Sequence, residues 1–319
     1  MKPTFYMLCG LPASGKSTVA KKLSEDTGAV IHSSDNLRKE LYQDENFQDK
    51  NNELFLTLHR RIKDDLRNEI SVVYDATNIS YKKRKAFLSE LTKIECKKVC
   101  IIVATPYKKC LTRNQERDRK VPDEVIKNMY THWNIPYWYE GWDDIEIEYT
   151  IDTCYFGSPL DVIDKYINYD QQNYHHKLTL GWHLEQTLHS IQKRKRHIML
   201  SNNDLSKTNY LRVAAVLHDC GKPFVQTIST ELNDMDEFDA HYYQHHCVGA
   251  YDSLFYEAEY NSINHAVLIQ WHMQPYSWER DEVNGEKQRL KYKKLWGNDL
   301  YEDIMLLHET DVLAHEFIE

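Results

Sequence analysis

The architecture of the first half of the chain follows from residues 4–27, TFYMLCGLPASGKSTVAKKLSEDT. They run from an apolar segment typical of a β-strand, through a glycine-containing turn, into a segment typical of an amphipathic helix. The turn at residues 10–18 fits G-x-x-x-x-G-K-[ST], in which backbone N–H groups surround nucleotide phosphates, the lysine reaches the β and γ oxygens and the hydroxyl binds Mg²⁺. The pattern predicts a site for ATP or another NTP with Mg²⁺, formed by Gly10, Ser14, Gly15, Lys16, Ser17 and Thr18.

Four further apolar runs follow this segment before residue 155. They are AVIHSSD, SVVYDAT, KVCIIVAT and IEIEYTID, and charged, helix-like stretches separate them. Strands that alternate with helices predict an α/β domain with a parallel sheet covered on both faces. Ligands of such sheets bind at the carboxyl ends of the strands, so the polar residues that end these runs are candidate site residues.

The second half of the chain has a different pattern. From about residue 173 we find only helical periods, which predicts an all-α domain. The predicted organisation is a first domain at 1–155, a linker at 156–172 that contains Gly157, Ser158 and Pro159, and a second domain at 173–319. The polar segment at 274–294 is expected to form a loop between helices.

Composition limits the classes of function. Residues 1–150 carry 25 Lys and Arg against 23 Asp and Glu, and the remainder carry 15 against 26, so neither half is a general polyanion binder. The seven cysteines form no CxxC pair, which favours reduced thiols over disulfides or a zinc framework. No apolar run of about eighteen residues and no secretory signal are found, so we expect a cytoplasmic protein without a membrane partner.

Two groups of polar residues could complete a phosphate-transfer site. Asp35 follows the second strand and Arg38 lies about one turn later, where they could accept a proton and hold an acceptor phosphate. The alternative is a helix N-cap beside a solvated arginine. Arg113 and Arg117 are four residues apart, so both are expected on one helix face over the nucleotide, although such a charge run can be a solvated face.

With these motifs, residues 1 to about 150 resemble the 5′-hydroxyl polynucleotide kinases of phage and bacterial end-healing systems. The motifs GLPASGKST, SSDNLRKE, VYDATN followed by Arg84, and RNQERDRKVP stand in that family's order. The resemblance implies a general base, an acceptor-phosphate contact, a two-arginine lid and an adenine contact, formed by Asp35, Arg38, Arg113 with Arg117, and Val121. The nearby Arg119 and Lys120 leave open which cations face the nucleotide.

Histidines are concentrated in the second half, where 13 of the 16 lie. Candidate ligands occur one to a helix-like segment, each on an otherwise apolar stretch, where an unpaired polar group is costly to bury. These are His183, His218 with Asp219, His245 or His246, His272 and Asp311. A single such histidine would be interpreted as a core residue, but five segments together predict a metal site. Nitrogen and carboxylate ligands suit one or two ions of Mn²⁺, Fe, Co²⁺, Ni²⁺ or Zn²⁺.

Residues 173–319 resemble the HD phosphohydrolase superfamily through HHKLTLGWHLEQTL, LHDCGKP, QHHCVGAYDSL, IQWHM and ETDVLAH. The resemblance assigns one metal to His183, His218, Asp219 and Asp311, and a second is completed by His245 and His272. It also places Lys222 close to the substrate phosphate. The sequence QHH stands where the family often has GHE, which leaves the choice between His245 and His246 open.

The two resemblances together imply an end-healing enzyme. One half would phosphorylate 5′-hydroxyl ends of RNA or DNA, the other would clear 2′,3′-cyclic or 2′/3′-phosphate ends, and a separate ligase would be a partner. Two alternatives remain at this stage. One is a nucleoside or metabolite kinase fused to an HD nucleotidase, and the other is a nucleotide-sensing module whose helical half is a degenerate scaffold.

Overall fold

The computed structural model describes residues 2–44, 47, 49–151, 155–173, 176–199, 205–232, 238–257 and 263–316. The chain divides into two compact units. The first comprises Met1–Met129 and Pro136–Asp152, and the second comprises Tyr130–Ile135 and Thr153–Glu319. Among the described residues, no helix is both long and apolar enough to cross a membrane.

The first unit is built on a five-stranded parallel sheet, as its alternating pattern predicted. The strands are β1 (Thr4–Cys9), β2 (Val30–Ser33), β3 (Val72–Asp75), β4 (Lys97–Ala104) and β5 (Asp144–Tyr149). Their order is β2-β3-β1-β4-β5, and every neighbouring pair is parallel. β1 therefore lies at the centre of the sheet, and its carboxyl end delivers the chain into the phosphate-loop motif.

The helix at Asn51–Arg67 packs on this sheet through an apolar stripe. Leu54, Leu58, Ile62 and Leu66 recur there at helical spacing and are all buried. The helices are α1 (Lys16–Thr27), α2 (Ser34–Tyr42), α3 (Asn51–Arg67), α4 (Tyr81–Glu90) and α5 (Tyr107–Gln115). A sixth helix, α6 (Asp123–Thr131), leads into the segment Tyr130–Ile135 of the second unit.

A buried ion pair connects helix α4 to the short 3₁₀ helix at Trp138–Glu140 in the first unit. The guanidinium of Arg84 in α4 binds the Glu140 carboxylate twice, with Nε–Oε2 2.8 Å and Nη2–Oε1 2.6 Å, and Trp142 Nε1 donates to the same carboxylate at 3.1 Å. The remaining Arg84 Nη1 donates to the Asn78 carbonyl at 2.9 Å. Asn78 Nδ2 in turn donates to the Leu8 carbonyl in β1 at 2.9 Å. The pair thus supports the loop after β3 beside the strand that precedes the phosphate loop.

The second unit is predominantly helical. Its helices are α7 (Asp161–Lys165), α8 (Leu180–Met199), α9 (Leu205–Leu217), α10 (Lys222–Val225), α11 (His245–Asp252), α12 (Ile263–Trp271), α13 (Gln274–Arg280) and α14 (Gly285–Glu316). Helix α14 is kinked at Gly297, where φ is 80°. Trp133 from the segment Tyr130–Ile135 belongs to the core of this unit, since its ring lies 4.9 Å from that of Tyr251.

Two expectations for the second unit were wrong. Helices are not its only elements, because β6 (Thr227–Leu232) and β7 (Phe238–His241) form a two-stranded antiparallel sheet. The polar segment 274–294 is not a loop, since it forms α13 and the start of α14. Trp278 in that segment is buried, with its ring 5.8 Å from that of Trp296, so aromatic packing stabilises a helix there despite the many charges.

Candidate functional site

The phosphate-loop motif forms a tight turn between β1 and α1. Gly15 has φ of 100°, a left-handed conformation that glycine adopts without strain. The buried ammonium of Lys16 donates to the carbonyls of Gly10 at 3.1 Å and Leu11 at 2.7 Å. Burial lowers the Lys16 pKa, against the opposing effect of the nearby Asp75 carboxylate. Ser14 Oγ is buried without a hydrogen-bond partner in the described part of the chain, so the turn presents an unused polar group.

Asp75 lies beside the phosphate loop, where the sequence analysis did not assign it a role. It is the last residue of β3, and its Oδ2 accepts a hydrogen bond from Ser17 Oγ at 2.9 Å. A hydroxyl and a strand-end aspartate are the pair that holds Mg²⁺ in P-loop enzymes. Burial raises the Asp75 pKa, while the Lys16 ammonium and the Ser17 hydrogen bond lower it. The signal was the carboxylate that follows the apolar run VVY.

Asp35 lies in the first turn of α2 and is held between two guanidinium groups. Its Oδ1 accepts from Arg38 Nη1 at 2.9 Å, and its Oδ2 lies 2.6 Å from Arg119 Nη1. Arg38 also donates to Asn51 Oδ1 at 3.0 Å. The structure thus brings Asp35 and Arg38 together and adds Arg119, one of the two cations whose position the sequence left open.

The expected two-arginine helix face was wrong. Helix α5 ends at Gln115, so Arg117 lies beyond it. The cause is the buried side chain of Asn114, whose amide donates to the Val121 carbonyl at 2.7 Å and accepts from the Val121 N–H at 3.0 Å. These two hydrogen bonds close a loop from Asn114 to Val121, in which the chain does not continue the α-helical hydrogen bonds of α5.

The two arginines consequently have different surroundings. Arg113 donates to Thr150, from Nη1 to Oγ1 at 2.8 Å and from Nη2 to the carbonyl at 3.0 Å. The charge of Arg117 adds to burial in lowering the Lys16 pKa, so Arg117 lies within electrostatic range of the phosphate loop. The lid role of both arginines and the adenine contact of Val121 stay predictions.

In the second unit, the six predicted ligand positions converge in one buried group, which we call the His/Asp cluster. Its members are His183, His218, Asp219, His245, His272 and Asp311. On one side, the His183 Nε2 atom lies 3.1 Å from His218 Nε2, 3.0 Å from Asp311 Oδ1 and 3.5 Å from Asp219 Oδ2. Three segments that are distant in sequence, namely α8, the turn after α9 and α14, therefore direct nitrogen and oxygen donors at one point.

The other side of the cluster uses the second oxygen of the same aspartate. Asp219 Oδ1 lies 3.1 Å from His245 Nε2 and 3.7 Å from His272 Nε2. These two imidazole nitrogens are 3.2 Å apart. His245 thus occupies the position that the sequence left open between it and His246. Asp219 faces two separate donor sets, one through each oxygen, which is the arrangement of a carboxylate that bridges two ions.

Hydrogen bonds in the cluster fit metal binding. The Nδ1 atoms of His218, His245 and His272 each donate to the backbone carbonyl three residues earlier, at 2.9, 2.7 and 2.6 Å. In each of these bonds Nδ1 carries the proton, so Nε2 is the ring atom that is directed at the cluster. The Nε2 atoms of His245 and His272 face each other, an arrangement that a cation between them would stabilise. Burial lowers the pKa of His272 to about 4, so its ring is neutral at pH 7.

Backbone packing and charge explain the HDCGK stretch. A Cβ at Gly221 would lie 2.2 Å from the His245 carbonyl oxygen, so only glycine lets the two chain segments approach this closely. Lys222 Nζ lies 2.7 Å from Asp219 Oδ2. Burial alone would raise the Asp219 pKa, but the charges of Lys222 and His218 hold it well below its usual value. Asp219 is therefore an anion at neutral pH, as a metal ligand must be.

Residues 5–134 match the family model AAA_33, an AAA domain. The N-terminal half contains a P-loop domain of the kinase type. The L-seryl-tRNA(Sec) kinase of Methanococcus maripaludis is 35% identical over 158 residues, which are 46% of this chain and 58% of that protein. The chain thus spans less than two thirds of the length of this curated relative.

Two solved structures are also similar over part of the chain. One is the Pnkp1/Rnl/Hen1 RNA repair complex, with 20% identity, a TM-score of 0.38 and coverage of 41% of this chain and 43% of that one. The other is a gluconokinase from Sinorhizobium meliloti 1021, with 16% identity, a TM-score of 0.35 and coverage of 47% and 85%.

Proposed function

We propose that the protein heals broken nucleic-acid ends, by phosphorylating 5′-hydroxyl ends and hydrolysing 2′,3′-cyclic or 2′/3′-phosphate ends. The observation that carries the proposal is the double-sided Asp219 carboxylate, with separate imidazoles at each oxygen, in a chain that also holds a phosphate loop. A phosphotransferase and a metal phosphoesterase would treat the two ends of a single break.

The first unit supplies the groups for phosphoryl transfer from ATP. Lys16 would turn from the loop carbonyls to the β and γ phosphates, and Ser17 with Asp75 would hold Mg²⁺, which supplies positive charge at those oxygens. Asp35 would orient the attacking hydroxyl and accept its proton. Because both Asp35 oxygens contact guanidinium groups, the acceptor would displace one of them. The loop residue Arg119, with 17% of its side chain exposed, is better placed to move than the helical Arg38, with 6%.

The second unit supplies the groups for phosphate hydrolysis. His183, His218, Asp311 and Asp219 Oδ2 would hold one ion, and His245, His272 and Asp219 Oδ1 a second. When bound, such ions lower the pKa of water and polarise the phosphoryl oxygens. Lys222 would contribute a further positive charge beside Asp219, where it could bind a phosphate oxygen. The neutral ring of His272 keeps its lone pair available for binding.

A second candidate acceptor follows from the curated relative. Its 35% identity over 158 residues favours an acceptor hydroxyl carried on a seryl-tRNA in place of a 5′-hydroxyl end. Both candidate acceptors are hydroxyl groups carried by an RNA. One is the 5′-hydroxyl of the terminal ribose, and the other is the side-chain hydroxyl of a serine attached to a tRNA. A nucleoside or metabolite acceptor is the remaining alternative for the kinase half.

An acceptor comparison tests the kinase half. With γ-labelled ATP and Mg²⁺, we expect label on an RNA with a 5′-hydroxyl and none on the same RNA already phosphorylated there. Lys16→Met and Asp35→Asn should each lower the rate by about 100-fold or more, since they remove phosphate stabilisation and the proton acceptor. Neither substitution should alter phosphate release by the second unit.

Labelling of seryl-tRNA in preference to the 5′-hydroxyl RNA would replace the proposed acceptor by the second candidate. Labelling of thymidine or shikimate, with neither RNA labelled, would contradict both. Asp219→Asn is the matched control, because it removes a buried carboxylate in the other unit and should leave the labelling rate unchanged.

A further inference from the structure

His315 lies at the His/Asp cluster but is absent from the ligand set assigned above. It is the fourth residue after Asp311 on α14, one helical turn later, so both side chains lie on the same face. Its Nε2 is 3.2 Å from Asp311 Oδ1. Its ring centroid is 4.8 Å from that of His183. The ligand atoms of His183, Asp311 and His315 all lie within 4.8 Å of one another.

The two carboxylate oxygens of Asp311 face opposite sides, one towards the His/Asp cluster and one away from it. Oδ1 faces the cluster, at 3.0 Å from His183 Nε2 and 3.5 Å from His218 Nε2. Oδ2 accepts a hydrogen bond from Tyr276 at 3.1 Å. A histidine that only oriented Asp311 would be expected at the outer oxygen, as the tyrosine is. His315 instead directs its Nε2 at the inner oxygen.

We infer that His315 is a fifth protein ligand of the ion held by His183, His218, Asp219 and Asp311, an inference that rests on the proposed metal centre. Two groups of three residues share His183, namely His183, His218 and Asp219, and His183, Asp311 and His315. One imidazole nitrogen binds one ion, so both groups describe the same ion. Five donors exceed the four of a tetrahedral zinc site and suit an ion that accepts six, such as Mn²⁺, Fe²⁺, Co²⁺ or Ni²⁺.

The neighbouring His176 does not fill this role. Its ring lies 4.5 Å from that of His315, but its Nε2 lies 3.3 Å from the Lys222 ammonium, which occupies the lone pair. His315 is also the most accessible donor, with 24% of its side chain exposed against 4% for Asp311. It would therefore stand on the solvent side of the ion.

Cobalt binding to the full chain tests the inference without any substrate. The visible absorption of Co²⁺ reports the atoms bound to it, so His315→Ala should shift the band and weaken the affinity of this site by about tenfold or more. Free imidazole added to His315→Ala should restore the wild-type band. Tyr276→Phe, which alters only the outer oxygen of Asp311, and His176→Gln should both keep the wild-type band.

Other outcomes would contradict either the role of His315 or the proposed metal centre. An unchanged band in His315→Ala, with or without weaker binding, would mean that His315 is not a ligand. Failure of the wild-type protein to bind Co²⁺ would overturn the inference and the proposed metal centre together. Cobalt binding with the expected band shift, but without release of phosphate from RNA ends, would leave the ligand assignment standing and reject the phosphoesterase function.

Discussion

Asp219→Asn is expected to abolish binding of both of the metal ions that we propose for the second unit. Asp219 Oδ2 lies 3.5 Å from the Nε2 atoms of both His183 and His218, and Oδ1 lies 3.1 Å from His245 Nε2. An amide keeps the shape but loses the charge, and its NH₂ group cannot act as a ligand. Affinity at both sites should fall by about 100-fold or more, a loss larger than that expected for residues that only orient a ligand. Metal analysis after dialysis and calorimetric titration with Mn²⁺ measure it.

Two matched variants make this result specific. Asp303→Asn replaces another buried aspartate of the same unit, one that accepts a hydrogen bond from Tyr210 at 2.6 Å, and should retain both ions. His272→Gln should lose the ion on the Oδ1 side alone. Retention of one full-affinity ion by Asp219→Asn would contradict the bridging role, provided that circular dichroism shows the same helical content as in the wild type.

Arg84→Ala is expected to destabilise the first unit by about 3–5 kcal/mol, because it leaves the Glu140 carboxylate buried without its partner. The same change removes the donor to the Asn78 carbonyl, which supports the loop beside β1. Hydrogen exchange followed by mass spectrometry suits a chain of two units, since it reports each segment separately. Peptides from β1 and β3 should exchange faster, and peptides from α8 to α14 should not change.

The surface pair Arg61–Glu40 is a matched control. It is also bidentate, with Arg61 Nη1 2.7 Å from Glu40 Oε2 and Nη2 2.6 Å from Oε1, but both side chains are substantially exposed. Arg61→Ala should leave exchange in β1 and β3 unaltered, because exposed pairs contribute little. The double change Arg84→Met with Glu140→Leu should recover part of the lost protection. Equal effects of Arg84→Ala and Arg61→Ala would show that burial of the pair is not the cause.

Local patterns in the sequence were sufficient for the sheet and the phosphate loop. Each of the five strands, and the turn from Gly10 to Ser17, is one continuous stretch of sequence. Each can be predicted from the residues within it and a few positions on either side. The loss of the Arg113 and Arg117 helix face has a local cause that periodicity does not report, since one buried amide, that of Asn114, pairs with Val121 seven residues later.

Contacts between distant residues were not predictable in this way. Arg84 and Glu140 are 56 residues apart, and no local feature of either indicates a buried pair. The converging His/Asp cluster could be proposed because each ligand interrupts an apolar stretch. His315 was missed because a histidine in the last turn of a helix is equally expected for its favourable interaction with the helix dipole. The helix at Gln274–Arg280 was missed because charged neighbours obscured the helical spacing of its aromatic residues.

Mass spectrometry of an RNA with a 5′-hydroxyl and a 2′,3′-cyclic phosphate can show whether one chain treats both ends of a broken strand. In the presence of ATP, Mg²⁺ and Mn²⁺, we expect a product with a 5′-phosphate and with the cyclic phosphate opened or removed. Asp35→Asn should block only the first change and Asp219→Asn only the second. An RNA that leaves the reaction with both ends unaltered, or loss of both changes in either variant, would contradict the proposed function.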